Sequence, residues 1–410
     1  MNHSLTSAAS STHNGWLSAI TGWRFWLFRT WVARLPLGQL TVTFPSGRRE
    51  TFDGAKPGRN AQLNIHDMRV VNRLIGSGDL GLAESFMAGE WSTPNLSAIM
   101  RFGLANEQAL GKTLQKTTLH RFFDRLQHAR HSNTRRGSRR NIAAHYDLGN
   151  DFYSHWLDPY MTYSSALFEA LDEPLAPAQR RKYLRLAAQL DLKPNDRVLE
   201  IGCGWGGFAE IAAREFGCYV VALTLSQEQA AYAQDRLARA GLSDRVEVRL
   251  QDYRDVQGEF DKIASIEMFE AVGEQYWSVY FDTLRERLAP GGKAGLQIIT
   301  MDDDYFEDYR RNPEFIQRFI FPGGMLPGPS VFQQAAEAAS LEITDHFTFG
   351  RSYGETLRRW DMAFQNAWPK IKPLGFDDRF YRMWRYYLCY CEVGFDTGRI
   401  NVAHFTLNHA

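Results

Sequence analysis

The 410-residue chain has no excess of charge of either sign, since Lys+Arg and Asp+Glu both number 47. No global field draws it toward a polyanion, so affinity for nucleic acid or anionic lipid would have to come from local clustering. Long apolar runs are missing as well. The longest candidate, residues 16–35, is interrupted by Arg24, Arg29 and Arg34 and cannot cheaply span a bilayer. The stretch Met1–His13 is polar and lacks the apolar centre of a secretory signal. Cysteine is scarce: Cys203, Cys218, Cys389 and Cys391 are the whole set. None falls in a zinc-type spacing, and Cys389 and Cys391 are too close for an easy disulfide. A reduced, cytoplasmic compartment is the expectation. The phosphate-loop signature G-x-x-x-x-G-K-[ST] is absent too.

What is present divides the chain into three. Residues 1–110 read as a small α+β domain. Leu40–Phe44 and Arg49–Phe52 flank a Pro45-Ser-Gly47 turn as a β-hairpin, and Asp67–Ile75 and Ser97–Leu104 read as helices. Residues 111–140 form a basic linker, in which Lys112, Lys116, Arg121, Arg125, Arg130, Arg135, Arg136, Arg139 and Arg140 face Asp124 alone. Residues 141–410 form the third part, and from Arg197 short apolar strands alternate with helices. Strands are expected at Arg197–Ile201, Tyr219–Leu223, Val246–Leu250, Lys262–Ile266 and Lys293–Ile299. Helices are expected at Phe208–Phe216, Ser226–Ala240 and Tyr280–Leu288, the last stopped by Pro290-Gly-Gly292. Ser226 and Gln229 suit a capping box. Such alternation specifies an α/β, doubly wound Rossmann-like domain with a mostly parallel sheet.

The first strand runs into Val198-Leu-Glu-Ile-Gly-Cys-Gly-Trp-Gly-Gly207. Gly202 and Gly204 let backbone N–H groups approach a ligand at the strand's carboxyl end. Glu200 suits a ligand with a cationic amino group. The second strand ends in Leu223-Thr-Leu-Ser226, with no acid to hold a ribose, which argues against NAD. Gln229 is the polar substitute. Many ordinary strand-to-helix turns look like this, so the loop alone decides little.

Six ordered segments decide more. Ala144-His-Tyr-Asp-Leu-Gly-Asn-Asp-Phe-Tyr153 with Met161-Thr-Tyr-Ser164, Glu200–Gly207, Leu223–Ser226, Gln251-Asp-Tyr253, Met268-Phe-Glu270 with Val272-Gly273, and Phe319-Ile-Phe-Pro-Gly-Gly324 together resemble the cyclopropane-fatty-acyl-phospholipid synthase family, which includes the mycolic acid cyclopropane synthases. Gly81–Trp91 resembles the small domain of its two-domain bacterial members. The resemblance implies a methyltransferase fold for the larger domain and S-adenosylmethionine as methyl donor. It places cofactor contacts at Tyr163, Ser164, Gly202, Gly204, Thr224, Leu225, Gln229 and Tyr253. Without it, Tyr163 and Tyr253 would be ordinary half-buried aromatics.

The resemblance also implies a reaction and a base. An alkene takes the methyl group, a carbocation forms, and a base removes a proton from the new carbon as the ring closes. Aromatic faces can stabilise such cations by ~0.5–2 kcal/mol; Phe315, Phe319, Phe321, Tyr353 and Trp360 are candidates, although aromatics at such spacing are usually core. The family's base is a bound bicarbonate, held by a Cys, a Glu, a His, a backbone group and a Tyr. Here Glu270 and Tyr353 match, and Ile299 supplies the backbone group. Ser165 stands at the Cys position, Gln297 at the His position, and Ala271 where a second His follows the Glu. Ser and Gln can still hydrogen-bond an anion, but no imidazole or thiol remains to tune proton transfer.

The expected function is one-carbon transfer to the cis double bond of an unsaturated phospholipid acyl chain, closing a cyclopropane. The enzymatic rival is a C-methyltransferase giving a methyl-branched or methylene chain. A non-catalytic lipid- or cofactor-binding protein and a nucleic-acid methyltransferase are the rivals of other classes; retained Glu270 and Tyr353 speak against the first, the neutral charge against the second. The expected partner is unsaturated phospholipid at the surface of the inner membrane, from the cytoplasmic side. No nucleic acid is expected, and a homodimer is left open. Trp16, Trp23, Phe25, Trp26, Phe28 and Trp31, interleaved with arginines, suit an interface or a helix packed on the small domain. The basic run suits anionic headgroups or a solvated linker.

Overall fold

A computed structural model describes Trp23, residues 25–111 and residues 148–410 apart from Pro313. The basic run from Lys112 to Arg140 lies outside the described residues, as does the segment before Trp23. The chain divides into two compact units: residues 1–122 with 378–386, and residues 123–377 with 387–410. The linear boundaries drawn from sequence did not anticipate that residues 378–386 group with the small unit.

In the small unit, β1 (Leu37–Thr43) and β2 (Arg49–Asp53) form the expected antiparallel hairpin, with Leu40 opposite Phe52. A third strand, β3 (Lys56–Ile65), runs parallel to β1, and a short β4 (Trp91–Ser92) pairs with β3. Helix α1 (Arg69–Met87) continues well beyond the expected Ile75 and bends at Gly78, whose φ of 55° lies where glycine is at home. Its Ala83 and Met87 are buried, as are Val42, Ile65 and Trp91. The Trp91 indole N–H is satisfied by Leu82 O and Ser85 Oγ at 3.1 and 2.9 Å. Helix α2 (Leu96–Ala105) is capped by Asn95, whose side chain accepts from Ala98 N. Residues 25–32 are helical. Phe25 and Phe28 pack on Phe44 at ring separations of 4.7 and 6.0 Å, while Trp23 and Trp26 are exposed. The segment is thus a packed helix with an exposed tryptophan edge.

The larger unit is built on a seven-stranded sheet. Five strands are parallel: β5 (Arg197–Ile201), β6 (Tyr219–Thr224), β7 (Val246–Leu250), β8 (Phe260–Ile266) and β9 (Leu288–Met301). Two antiparallel strands, β10 (Leu341–Thr348) and β11 (Ile400–His409), extend the edge beside β9, giving the order β10-β11-β9-β8-β5-β6-β7. The unit's longer helices are α3 (Leu175–Leu190), α4 (Gly207–Phe216), α5 (Gln227–Arg239), α6 (Trp277–Arg287), α7 (Pro329–Ala338) and α8 (Gly350–Ile371), together with the part of α9 (Asp378–Asp396) from Tyr387 on. The doubly wound expectation holds, and its cause is visible along β5. Successive side chains alternate between faces, so Val198 joins a core with Leu186, Phe208 and Val220 on one side, and Leu199 joins Ile263, Phe281 and Phe332 on the other. A strand buried on both faces reads as an unbroken apolar run.

Two expectations need correction. Strand β9 begins at Leu288, not at Lys293, because Pro290-Gly-Gly292 lies inside the strand at a register irregularity opposite Phe260–Lys262. The capping box is only half formed: Ser226 Oγ accepts from Gln229 N, but the Gln229 side chain turns to Thr224. From β5 the chain winds outward through β6 and β7, then crosses back to β8 and β9. The order therefore reverses at β5, and a crevice at such a switch point is where α/β sheets bind ligands.

Candidate active site

A cleft lies beyond the carboxyl ends of β5, β6 and β8, with about 960 Å³ of empty space counting the part open to solvent. All eight positions assigned to the cofactor line it: Tyr163, Ser164, Gly202, Gly204, Thr224, Leu225, Gln229 and Tyr253. The turn after β5 holds its shape through backbone bonds from Gly202 N and Cys203 N to Leu223 O, at 3.0 and 2.8 Å. Gly202 and Gly204 have φ of 83° and 52°. A Cβ on Gly204 would meet nothing within 4 Å, so that backbone is open to a ligand, whereas one on Gly202 would meet Met268 Cγ at 2.8 Å. Thr224 Oγ1 donates to Gln229 Oε1 at 2.9 Å, which fixes the amide at the end of β6. Tyr253 packs edge-on against Tyr280 at 5.5 Å.

Glu200 ends β5 in a buried position, 2% exposed, and its Oε2 has no partner among the described residues. Burial pushes its pKa up to about 8, opposed by an Ala209 backbone hydrogen bond and by Arg236. A buried carboxylate oxygen without a donor is costly, and a ligand ammonium would satisfy it. This orphan, the open glycine backbone and the aromatic wall fit the amino-acid and adenosyl ends of S-adenosylmethionine.

The second half of the site departs from expectation. Glu267, at the end of β8, gathers three donors: Ser165 N at 2.9 Å and Gln297 Nε2 at 2.7 Å on Oε1, and Tyr353 Oη at 2.6 Å on Oε2. Glu270, expected to share its pocket with Tyr353, instead accepts from Ile299 N at 2.6 Å through Oε1, and its Oε2 has no partner among the described residues. The Ser165 hydroxyl turns away to Ala166 O. Thus Ser165, Gln297 and Tyr353 are brought together around Glu267, and Ile299 and Glu270 form a separate pair. Burial raises the Glu267 pKa, opposed chiefly by Lys182; burial and the Glu267 charge push Glu270 up to about 8. Lys182 on α3 is fully buried, bonds Ser164 Oγ and Ser165 O, and is brought down to about 8 by burial, against the pull of Glu267 and Asp158.

Behind this layer, His404 Nε2 lies 2.9 Å from Gln297 Oε1. A proton on Nε2 makes the imidazole the donor, and this turns the Gln297 amide nitrogen toward Glu267. Of the aromatic candidates, none of Phe315, Phe319, Phe321, Tyr353 or Trp360 is among the residues lining the cleft. Trp360 instead backs Tyr163, ring to ring, at 5.2 Å, and Tyr163 Oη pairs with Tyr387 Oη at 2.9 Å.

Residues 131–405 match the family of mycolic acid cyclopropane synthetases. The chain is 38% identical over 391 residues to the tuberculostearic acid methyltransferase of Mycobacterium tuberculosis, covering 93% of this chain and 90% of that one. It is also 38% identical to the cyclopropane-fatty-acyl-phospholipid synthase of Escherichia coli, covering 84% and 86%. The crystal structure of a mycolic acid cyclopropane synthase complexed with SAH and CTAB superposes with a TM-score of 0.62 at 31% identity, over 66% of this chain and 97% of that one. The chain belongs to the mycolic acid cyclopropane synthetase family. It is an S-adenosylmethionine-dependent methyltransferase, with S-adenosylmethionine as its methyl donor.

The bicarbonate that the family resemblance implies does not fit this chain. Three of the donors that would hold it converge on the Glu267 carboxylate, and the fourth, Ile299 N, is taken by Glu270. Sequence reasoning missed Glu267, Lys182 and His404. Glu267 carried one usable signal, a carboxylate at the carboxyl end of a parallel strand beside the cofactor turn. Lys182 and His404 carried none, because only the packing of α3 and β11 brings them to the site.

Proposed function

We propose that the chain transfers a one-carbon unit from S-adenosylmethionine to the cis double bond of an unsaturated phospholipid acyl chain, and closes a cyclopropane. The observation that carries this reading is the pairing, in one cleft, of a cofactor-shaped turn with a carboxylate held by three donors. S-adenosylmethionine supplies an electrophilic methyl group on a sulfonium. The chain's own contribution is to hold the reactants, exclude water and accept a proton. Gly202, Gly204, Thr224 and Gln229 would seat the cofactor, and Glu200 would take its ammonium. Tyr163, backed by Trp156 and Trp360 at 5.7 and 5.2 Å, makes a dry aromatic wall that keeps water from quenching a cation.

A second reading has its own support. A relative named as a tuberculostearic acid methyltransferase matches at the same 38% identity across more of the chain than the cyclopropane synthase does. It favours a methyl-branched or methylene product. Attachment to a membrane surface suits the exposed Trp23 and Trp26, and no helix among the described residues is long and apolar enough to cross a membrane. Lipids from a host expressing the gene test the reading by mass spectrometry. Unsaturated phospholipids should gain one CH₂ each, and unaltered lipids alongside abundant folded protein would refute it.

A further inference from the structure

We infer that Glu267 is the proton acceptor of this enzyme, a built-in carboxylate standing where the family resemblance calls for a bound bicarbonate. The inference rests on the proposed one-carbon transfer to an alkene. Geometry carries it. Glu267 lines the cofactor cleft. The Ser165 backbone and the Gln297 and Tyr353 side chains, three of the positions assigned from sequence to an exchangeable anion, all donate to it.

The arrangement is also directional. Oε1 takes two donors and Oε2 only one, so lone-pair capacity remains on Oε2. Gln297 Oε1 faces His404 Nε2 at 2.9 Å, and Gln297 and His404 are both fully buried. The backbone gives a further sign. Glu267 has φ of 50° without being glycine or asparagine, a conformation that persists only where surroundings enforce it and that concentrates at functional sites.

The step balances without a co-reactant. After the methyl carbon has joined one alkene carbon, the other carries the positive charge. A C–H bond of the newly joined carbon breaks, and its electron pair closes the C–C bond of the ring. In the rival outcome a hydride first moves between the former alkene carbons, and the same electron pair becomes the C=C of a methylene branch. In both cases the proton passes to Glu267 Oε2, the carboxylate becomes a carboxylic acid, and water entering after product release takes the proton away. Burial raises the pKa of Glu267, the direction that favours proton uptake.

The test uses the purified full chain, S-adenosylmethionine and dioleoyl phosphatidylglycerol vesicles, in buffer stripped of carbon dioxide and again with bicarbonate restored. Wild type should turn over equally in both. Glu267→Gln should lose ~100-fold or more in turnover, the scale of a lost general base, with S-adenosylhomocysteine affinity unchanged. Glu267→Ala leaves the donors facing a gap, and added bicarbonate or formate should restore part of its activity, which a merely structural glutamate would not allow. Wild-type turnover that needs bicarbonate overturns the inference alone, whether or not the variants fold, and so does full activity in a folded Glu267→Gln. No transfer by wild type to any unsaturated chain overturns the functional reading and this inference together.

Discussion

Cofactor affinity should depend on pH through Glu200. In the free protein this carboxyl holds its proton up to about pH 8 because burial opposes its charge and one oxygen has no donor among the described residues. An ammonium placed beside it favours the ionised form, so binding below pH 8 must expel a proton. Each unit by which pH lies below the empty-site pKa then costs about 1.4 kcal/mol, or about tenfold in affinity. Calorimetry with S-adenosylhomocysteine should show affinity rising about thirtyfold between about pH 6 and about pH 7.5, with a proton released in buffers of different ionisation heat. Lys182 and Glu270 also titrate near 8, so the decisive quantity is the difference from Glu200→Gln. That variant should bind more weakly at pH 7.5 and lose most of the slope. An unchanged slope in a folded Glu200→Gln would refute the assignment of Glu200 to the ammonium.

Three further outcomes follow from the same geometry. Gly204→Val should abolish S-adenosylhomocysteine binding, because its side chain enters open cleft space; calorimetry on protein with wild-type circular dichroism checks this. Tyr353→Phe should cost about 1.5–3 kcal/mol in urea unfolding, the worth of a hydrogen bond to a charged group, and should slow turnover as well. Glu270 has a folded pKa of about 8 against an ordinary 4.5, so the folded state keeps its proton longer than the unfolded chain. Its contribution to stability is therefore present below about pH 4.5 and lost as pH rises through about 8. Melting temperature should fall less steeply over that window in Glu270→Gln, which keeps an acceptor for Ile299 N.

How much of this was legible in the sequence follows from what each signal depends on. Strands β5, β6 and β8 announced themselves because parallel strands buried on both faces read as apolar runs. The glycine turn was readable because its backbone requirement is local. The long β3 was not, since Lys56–Ile65 opens with five exposed residues and has no apolar period. The pair β10–β11 was missed for a different reason: its antiparallel return is set by tertiary pairing with β9. The eight positions assigned to the cofactor came from ordered motifs, and all of them line one cleft. The family resemblance puts Glu270 and Tyr353 around one anion, whereas the Tyr353 hydroxyl reaches Glu267, three residues earlier. A positive φ that swings one carboxylate into another's expected place leaves no mark on spacing.

The central claim, one-carbon transfer to an alkene in a phospholipid, is tested most directly by proton NMR of the product. Purified enzyme, S-adenosylmethionine carrying a carbon-13 methyl group and dioleoyl phosphatidylglycerol vesicles suffice. The label should appear in upfield ring-methylene signals if the ring closes, or in vinylidene or vinylic-methyl signals if it does not. Either places the transferred carbon at the former double bond. Label found only on the headgroup, or no label in the lipid at all while the protein binds cofactor normally, would contradict the account.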